Sequence, residues 1–171
     1  MSAHAQPLCG AGAVPSEDRA RYAAAEGPRV IRPMRRDDFD EVMRIRYAVR
    51  ENRLVSMKIG PELYTDQIER TGRGWVAEDQ GKIVGFAIGN RDAADIWALF
   101  VDPEHDRRGH GRRLHDTMVE WMFAQGLPRI TLGTGPGTRA EGFYVAAGWR
   151  FTHLRSDGEH AYELLAPQSW A

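Results

Sequence analysis

The chain has 171 residues, 42% hydrophobic and 27% charged, the balance of one ordinary globular domain and not of a disordered, collagenous or coiled-coil chain. Lys and Arg number 23 against 24 Asp and Glu, a formal net charge of −1, which supplies no general field for nucleic acid or an anionic membrane. The single cysteine, Cys9, excludes an intramolecular disulfide and fits a reducing compartment. No apolar run approaches the roughly 20 residues of a membrane helix. Residues 1–29 have no basic start and no apolar core of signal-peptide type; they read as a flexible tail ahead of one domain over 30–171, with the cytoplasm as the default location.

Val30-Ile31-Arg32-Pro33-Met34 is a strand candidate, and Pro33 assigns it to an edge. Asp37 or Asp38 caps a helix whose Phe39, Val42, Ile45 and Val49 recur at helical spacing; Arg44, Arg46 and Arg50 fall on its other face. Pro61 opens a second helix, closed by Gly72 and Gly74. Trp75–Glu78 and Lys82–Ile88 flank the polar Asp79-Gln80-Gly81 turn as a hairpin. Asp95–Val101 is apolar throughout, as in a strand buried on both faces, and Asp102-Pro103 stops it. The turn Arg108-Gly109-His110-Gly111 opens a helix with Leu114, Met118, Trp121 and Met122 on one face, ended by Gly126 and Pro128. Arg129–Leu132 is a strand, Gly133–Gly137 a glycine turn, and Arg139–Ala147 a short helix capped by Gly148. Trp149–Leu154 and Ala161–Leu165 read as a closing strand pair. The order β-α-α-β-β-β-α-β-α-β-β predicts an α/β domain with a mixed sheet between helices.

The densest chemical signal is Trp97–Pro103 followed by Asp106-Arg107-Arg108-Gly109-His110-Gly111-Arg112. Glycines at a strand-to-helix turn let backbone N–H groups approach a phosphate, and the helix N-terminus adds about half a positive charge. Arg107, Arg108 and Arg112 thicken that field. A P-loop would end in Gly-Lys-Ser/Thr, and a Rossmann fingerprint needs a third glycine where Leu114 stands. The plain alternative is a glycine-lined helix start on a solvated basic face.

Residues Val30 to about Leu165 resemble the GNAT superfamily of acetyl-CoA-dependent N-acetyltransferases. Trp97–Gly111 is similar to that family's central strand and CoA pyrophosphate loop, and Thr138–Trp149, containing Arg139-Ala140, Phe143-Tyr144 and Gly148-Trp149, to its later helix. The resemblance implies a mostly antiparallel central sheet and acetyl transfer from acetyl-CoA to a primary amine of a small molecule or peptide, by direct attack in a ternary complex. It implies that Gly109, His110, Gly111 and Arg112 offer N–H groups to the pyrophosphate, with Arg107 and Arg108 beside them, and that Leu99, Phe100 and Val101 pair with pantetheine as an added strand. Tyr144 matches the tyrosine that donates a proton to the departing thiolate; taken alone, beside Phe143, it reads as packing its helix on the sheet. The sequence departs from the family pattern at Asp106, where Gln or Arg is usual, and at Gly137, where many members carry Asn. A homodimer follows only from family habit. The rival reading is a CoA-binding sensor or regulatory module without catalysis.

Glu78, Asp79 and Asp95 lie near strand ends, where a water-mediated base would sit, but each also reads as an ordinary strand-end carboxylate, and none is assigned. His105, His110 and His115 recur every five residues, which is no shared helical face, so no metal site is expected. The resemblance implies that the first two helices and their connection cover the acceptor end; here they carry Arg46, Arg50, Glu51, Asn52, Arg53 and Lys58, and Arg50 and Asn52, with Trp97 from the central strand, are the substrate-binding candidates. A basic lining there favours an acceptor bearing a carboxylate or phosphate as well as its amine. A solvated polar helix face is the alternative.

Overall fold

The computed structural model describes residues 28–49 and 60–168. Residues 1–27 of the expected tail, Cys9 and the candidates Arg50 and Asn52 lie outside the described residues. Strands β1 (Arg29–Pro33), β2 (Gly72–Asp79), β3 (Lys82–Asn90), β4 (Asp95–Val101), β5 (Arg129–Thr134), β6 (Arg150–Leu154) and β7 (His160–Leu165) form one sheet in the order β1-β2-β3-β4-β5-β7-β6. Helices α1 (Phe39–Ala48), α2 (Pro61–Asp66), α3 (His110–Ala124) and α4 (Arg139–Ala146) flank it. Only β4 and β5 run parallel; every other neighbouring pair is antiparallel. The element order is the one the sequence predicts.

Local chemistry accounts for the joints. Gln80 and Gly81 both have positive φ, 52° and 76°, the two-residue turn whose twist matches the flanking β2 and β3. Pro33 lies in β1, at the sheet's edge, where its missing N–H costs no ladder bond. Asp38 precedes α1, but its carboxylate does not cap that helix. It turns back to accept from the Arg35 N–H at 2.7 Å and from both terminal nitrogens of Arg32 at 2.8 Å.

The sheet separates two cores. On one face, Leu114, Met118, Met122 and Phe123 of α3 and Tyr144 of α4 pack on Trp75, Ala77, Val84, Ala87, Ile96, Ile130 and Leu132. On the other, Phe39, Val42 and Ile45 of α1 and Tyr64 of α2 pack on Val76, Ile83, Phe86, Ile88 and Ala98.

Two expectations change here. Strand β4 is not buried on both faces: Ile96 and Ala98 are buried, but Trp97, Leu99, Phe100 and Val101 are only half-buried, because they border a cleft. And Arg46 is not on the polar face of α1. It follows Val42 by one helical turn, so the helix carries it onto the same buried stripe, where its guanidinium lies 4.1 Å over the Phe100 ring.

Candidate active site

Strands β4 and β5 touch only where they begin. Their ladder is one bridge, Asp95 to Thr131, reinforced by the Thr131 N–H to Ala94 O at 2.8 Å and the Thr131 hydroxyl to the Asp95 carboxylate at 2.9 Å. Past that point a cleft of about 570 Å³ opens between them, lined by Ile96–Val101 from β4 and Leu132–Gly135 from the β5 side. This is ample for a small-molecule site, which typically measures about 300–1,000 Å³. A bulge shapes its inner wall: the β3–β4 register slips between Ile88 and Gly89, so Ile88 faces Ala98 while Gly89 faces Ile96. Trp97 is the extra residue. It packs with Ala98 and Phe100 in the α1–α2 layer.

The N-terminus of α3 closes the mouth. Gly109 is its N-cap, with φ 83° and ψ 3°, a left-handed conformation that glycine adopts without steric penalty. The first N–H groups of α3 have no intrahelical acceptor, and with the aligned peptide dipoles they favour an anion. Gly109, His110, Gly111, Arg112 and Arg107 all line the cleft, as do Leu99, Phe100, Val101, Trp97 and Tyr144. Arg108 does not border it. The Arg112 side chain is turned along the helix to Asp116, at 3.0 and 3.1 Å.

Partners fix the mouth from below. The His110 ring is buried, and its Nε2–H donates to Asp79 at 3.2 Å, tying the first turn of α3 to the end of β2. Burial holds this imidazole below its ordinary pKa, with Asp79 opposing. Asp102, buried at the end of β4, accepts from Arg44 of α1 at 2.7 Å and from the Glu104 N–H at 3.1 Å. Asp106, the acidic residue in the loop, is paired with Arg139 of α4, so its charge is answered inside the site.

Tyr144 is buried, and its ring lies 5.3 Å from Phe143 and 5.6 Å from Trp149. Burial first, and the Asp95 carboxylate second, push its hydroxyl well above the ordinary tyrosine range; it stays protonated at any physiological pH. Sequence reading passed over His115, which is buried behind this tyrosine. The Trp149 indole N–H donates to His115 Nε2 at 2.9 Å, so the ring proton is on Nδ1, which donates to Asp116 at 2.8 Å. Sequence reading also missed Glu141. Its carboxylate accepts from the Gly137 N–H at 2.7 Å, from the Tyr162 hydroxyl at 2.7 Å and from His160, which together hold its pKa down to about 2. Glu141 thereby pins the glycine turn, including the left-handed Gly137, to β7.

The carboxylates considered as bases are all engaged. Glu78 accepts from Arg32 at 2.6 Å, Asp79 from His110, and Asp95 from Thr131. Burial raises the Asp95 pKa, with the Thr131 hydroxyl opposing. Among the described residues no group of three His, Cys, Asp or Glu could hold a metal ion, and no helix is long and apolar enough to cross a membrane.

The sequence profile of the acetyltransferase (GNAT) family matches residues 37–149, which hold α1 through the Trp149 that packs on Tyr144. The chain belongs to the GNAT family. The human N-acetyltransferase 8 is 32% identical over 94 residues, a match covering 49% of this chain and 41% of that relative; less than half of the relative's length is thus represented. Ard1 from Thermoplasma volcanium has the same fold, with a TM-score of 0.66 at 21% identity, over 82% of this chain and 99% of that one. So does a PaiA N-acetyltransferase from Thermoplasma acidophilum, solved in complex with coenzyme A, with a TM-score of 0.69 at 16% identity, over 82% and 100%. The mostly antiparallel sheet is thus a GNAT fold.

Proposed function

We propose that the protein transfers acetyl from acetyl-CoA to a primary amine of a small molecule or peptide, by direct attack while both are bound. The observation that carries this reading is the wedge between β4 and β5, with the left-handed Gly109 and the α3 N-terminus at its mouth. The residues present fit CoA. A Cβ built on Gly109 would meet no atom within 4 Å, so the space at the start of α3 is open to a phosphate. Gly109–Arg112 hold the pyrophosphate through N–H groups, with Arg107 and Arg108 adding positive charge. Leu99–Val101 receive the pantetheine along the unpaired edge of β4, in the manner of strand addition. CoA supplies the activated thioester, and a β4 N–H polarises its carbonyl.

The amine must attack as the free base, since an alkylammonium of pKa about 10 has no lone pair. As the C–N bond forms and the C–S bond breaks, the sulfur leaves as thiolate and takes the hydroxyl proton of Tyr144, and the proton that the newly acylated nitrogen must lose restores the Tyr144 hydroxyl. The environment of Tyr144 supports this role in one respect: burial and Asp95 keep the proton on the oxygen, so it is present at the cleft that Tyr144 lines. Asp106 does not repel the phosphates, because Arg139 neutralises it.

Calorimetric titration with acetyl-CoA, followed by thiol release across an amine panel, tests the reading. Tyr144→Phe is expected to keep acetyl-CoA affinity and to lose about 100-fold or more in kcat, the usual worth of a positioned general acid. A kcat within twofold of wild type removes Tyr144 from the mechanism. Binding without thiol release from any amine points instead to a CoA-binding regulatory module.

A further inference from the structure

Three arginines around α1 have carboxylate partners. Arg32 pairs with Asp38 and Glu78, Arg36 with Glu69, and Arg44 with Asp102 and Glu41. Arg46 differs. It is only 9% exposed, and its Nη1 is buried with no hydrogen-bond partner among the described residues. Its recorded contact is aromatic, the guanidinium lying 4.1 Å over the Phe100 ring. Tyr64 acts on it electrostatically, and Trp97 stands edge-on to Tyr64 at 5.1 Å.

A guanidinium does not shed its proton to escape burial, and a ring face satisfies charge but not N–H groups. A desolvated cation lacking an acceptor is one of the costlier arrangements a fold can hold. Stacking on Phe100 engages the flat face of the guanidinium and fixes its plane, which leaves its edge for a planar anion. The position matters as much as the chemistry. Phe100 and Trp97 line the cleft, and so does Val49, the extended residue that ends α1 three positions beyond Arg46. Arg46 does not itself line the cleft, but it lies against Phe100, which does, on the α1 side of the sheet and across β4 from the α3–α4 layer that holds Tyr144.

We propose that Arg46 binds a carboxylate on the acceptor, so that the substrate class is amines that also carry a carboxylate, of amino-acid type. This rests on the acetyltransferase reading above and narrows it. Arg46 is then a specificity residue: it orients the acceptor by its anion and leaves the amine free to face the thioester.

The test compares each of the twenty standard amino acids with its own carboxamide, by thiol release with saturating acetyl-CoA. At least one acid is expected to exceed its amide by tenfold or more in kcat/KM. Arg46→Met should reduce that acid-to-amide ratio at least tenfold, through KM. Arg46→Lys, which keeps the charge but lacks the planar fork, should give an intermediate ratio, and it guards against a folding defect in the methionine variant. Arg36→Ala removes a surface cation and should leave the ratio unchanged, which separates a specific contact from the general field. Thermal melts and acetyl-CoA titration certify each variant as folded and loaded. Amides used as well as acids, no acid used by loaded enzyme, or a ratio surviving Arg46→Met would each overturn the inference while acetyl-CoA binding stands. Absence of acetyl-CoA binding overturns the acetyltransferase reading, and the inference with it.

Discussion

Gly111→Ala is expected to stabilise the protein and weaken its cofactor binding at the same time. Gly111 is the second residue of α3, and a Cβ there meets only Val101 Cγ2 at 3.4 Å, an ordinary contact. Alanine exceeds glycine in helices by about 0.5–1 kcal/mol, which in a domain of this size raises Tm by roughly 1–4 °C. Binding moves the other way. A helical Cβ tilts toward the N-terminus, so the new methyl group projects over the first-turn N–H groups, on the side that lines the cleft. Each hydrogen bond to a charged group contributes about 1.5–3 kcal/mol, so loss of one weakens acetyl-CoA binding about 10- to 150-fold. Calorimetric titration and a thermal melt on the same preparation read both signs. An affinity within threefold of wild type would show that the pyrophosphate does not lie against this turn. A lowered Tm would show that the Val101 contact is tighter than its geometry indicates.

Two further outcomes concern the supports of the site. Glu141→Gln is expected to destabilise the protein at neutral pH, and the deficit should shrink as pH falls. The Glu141 carboxylate has a folded pKa of about 2 against an ordinary 4.5, so its contribution is complete above about pH 4.5 and disappears as pH drops through 2. Urea midpoints of both proteins across that window decide it, and a gap that does not change with pH refutes it. Trp149→Phe removes the donor to His115 Nε2 and leaves a buried acceptor unpaired, at about 1–3 kcal/mol. The same change should raise the His115 pKa, because Trp149 bonds to the lone pair that a second proton would need. Proton NMR of the ring reports this, and an unchanged Tm and pKa would show that the indole bond contributes nothing.

The fold was legible because its signals are local. Alternating apolar runs, the Gln80-Gly81 turn, Pro61 and the glycine stops each act within a few residues, and together they fix the element order. The glycine turn that opens α3 was legible for the same reason, since Gly109 caps the helix it precedes. What sequence could not show were partners brought from afar. Asp106 looks hostile to a phosphate until Arg139 arrives from α4, 33 positions on. His115 looks idle until Trp149 bonds to it across 34 residues. Arg46 was assigned to the polar face because charge is usually solvated, yet its spacing from Val42 already put it on the buried stripe. That conflict between residue type and periodicity was the available signal, and the periodicity prevailed.

The same contrast bears on how the site divides its labour. Among the described residues two carboxylates line the cleft, Asp106 and Glu159, and each has an arginine partner, Arg139 for Asp106 and Arg155 for Glu159 at 3.6 Å. Asp79, Asp95, Asp102 and Glu141 belong to the supporting structure, where each is engaged by a cation, a hydroxyl or backbone N–H groups. A carboxylate so engaged positions its partner and is a poor proton acceptor. His110 and His115 are buried, and one nitrogen of His110 and both nitrogens of His115 are spent on structural bonds. In the proposed reaction the chemical tasks fall to the α3 N–H groups, the Tyr144 hydroxyl and the Arg46 guanidinium, which serve three different parts of it: the phosphates of the donor, the leaving sulfur, and the acceptor's anion. Such a site gains rate chiefly by holding two substrates in register, with one proton donated at the sulfur.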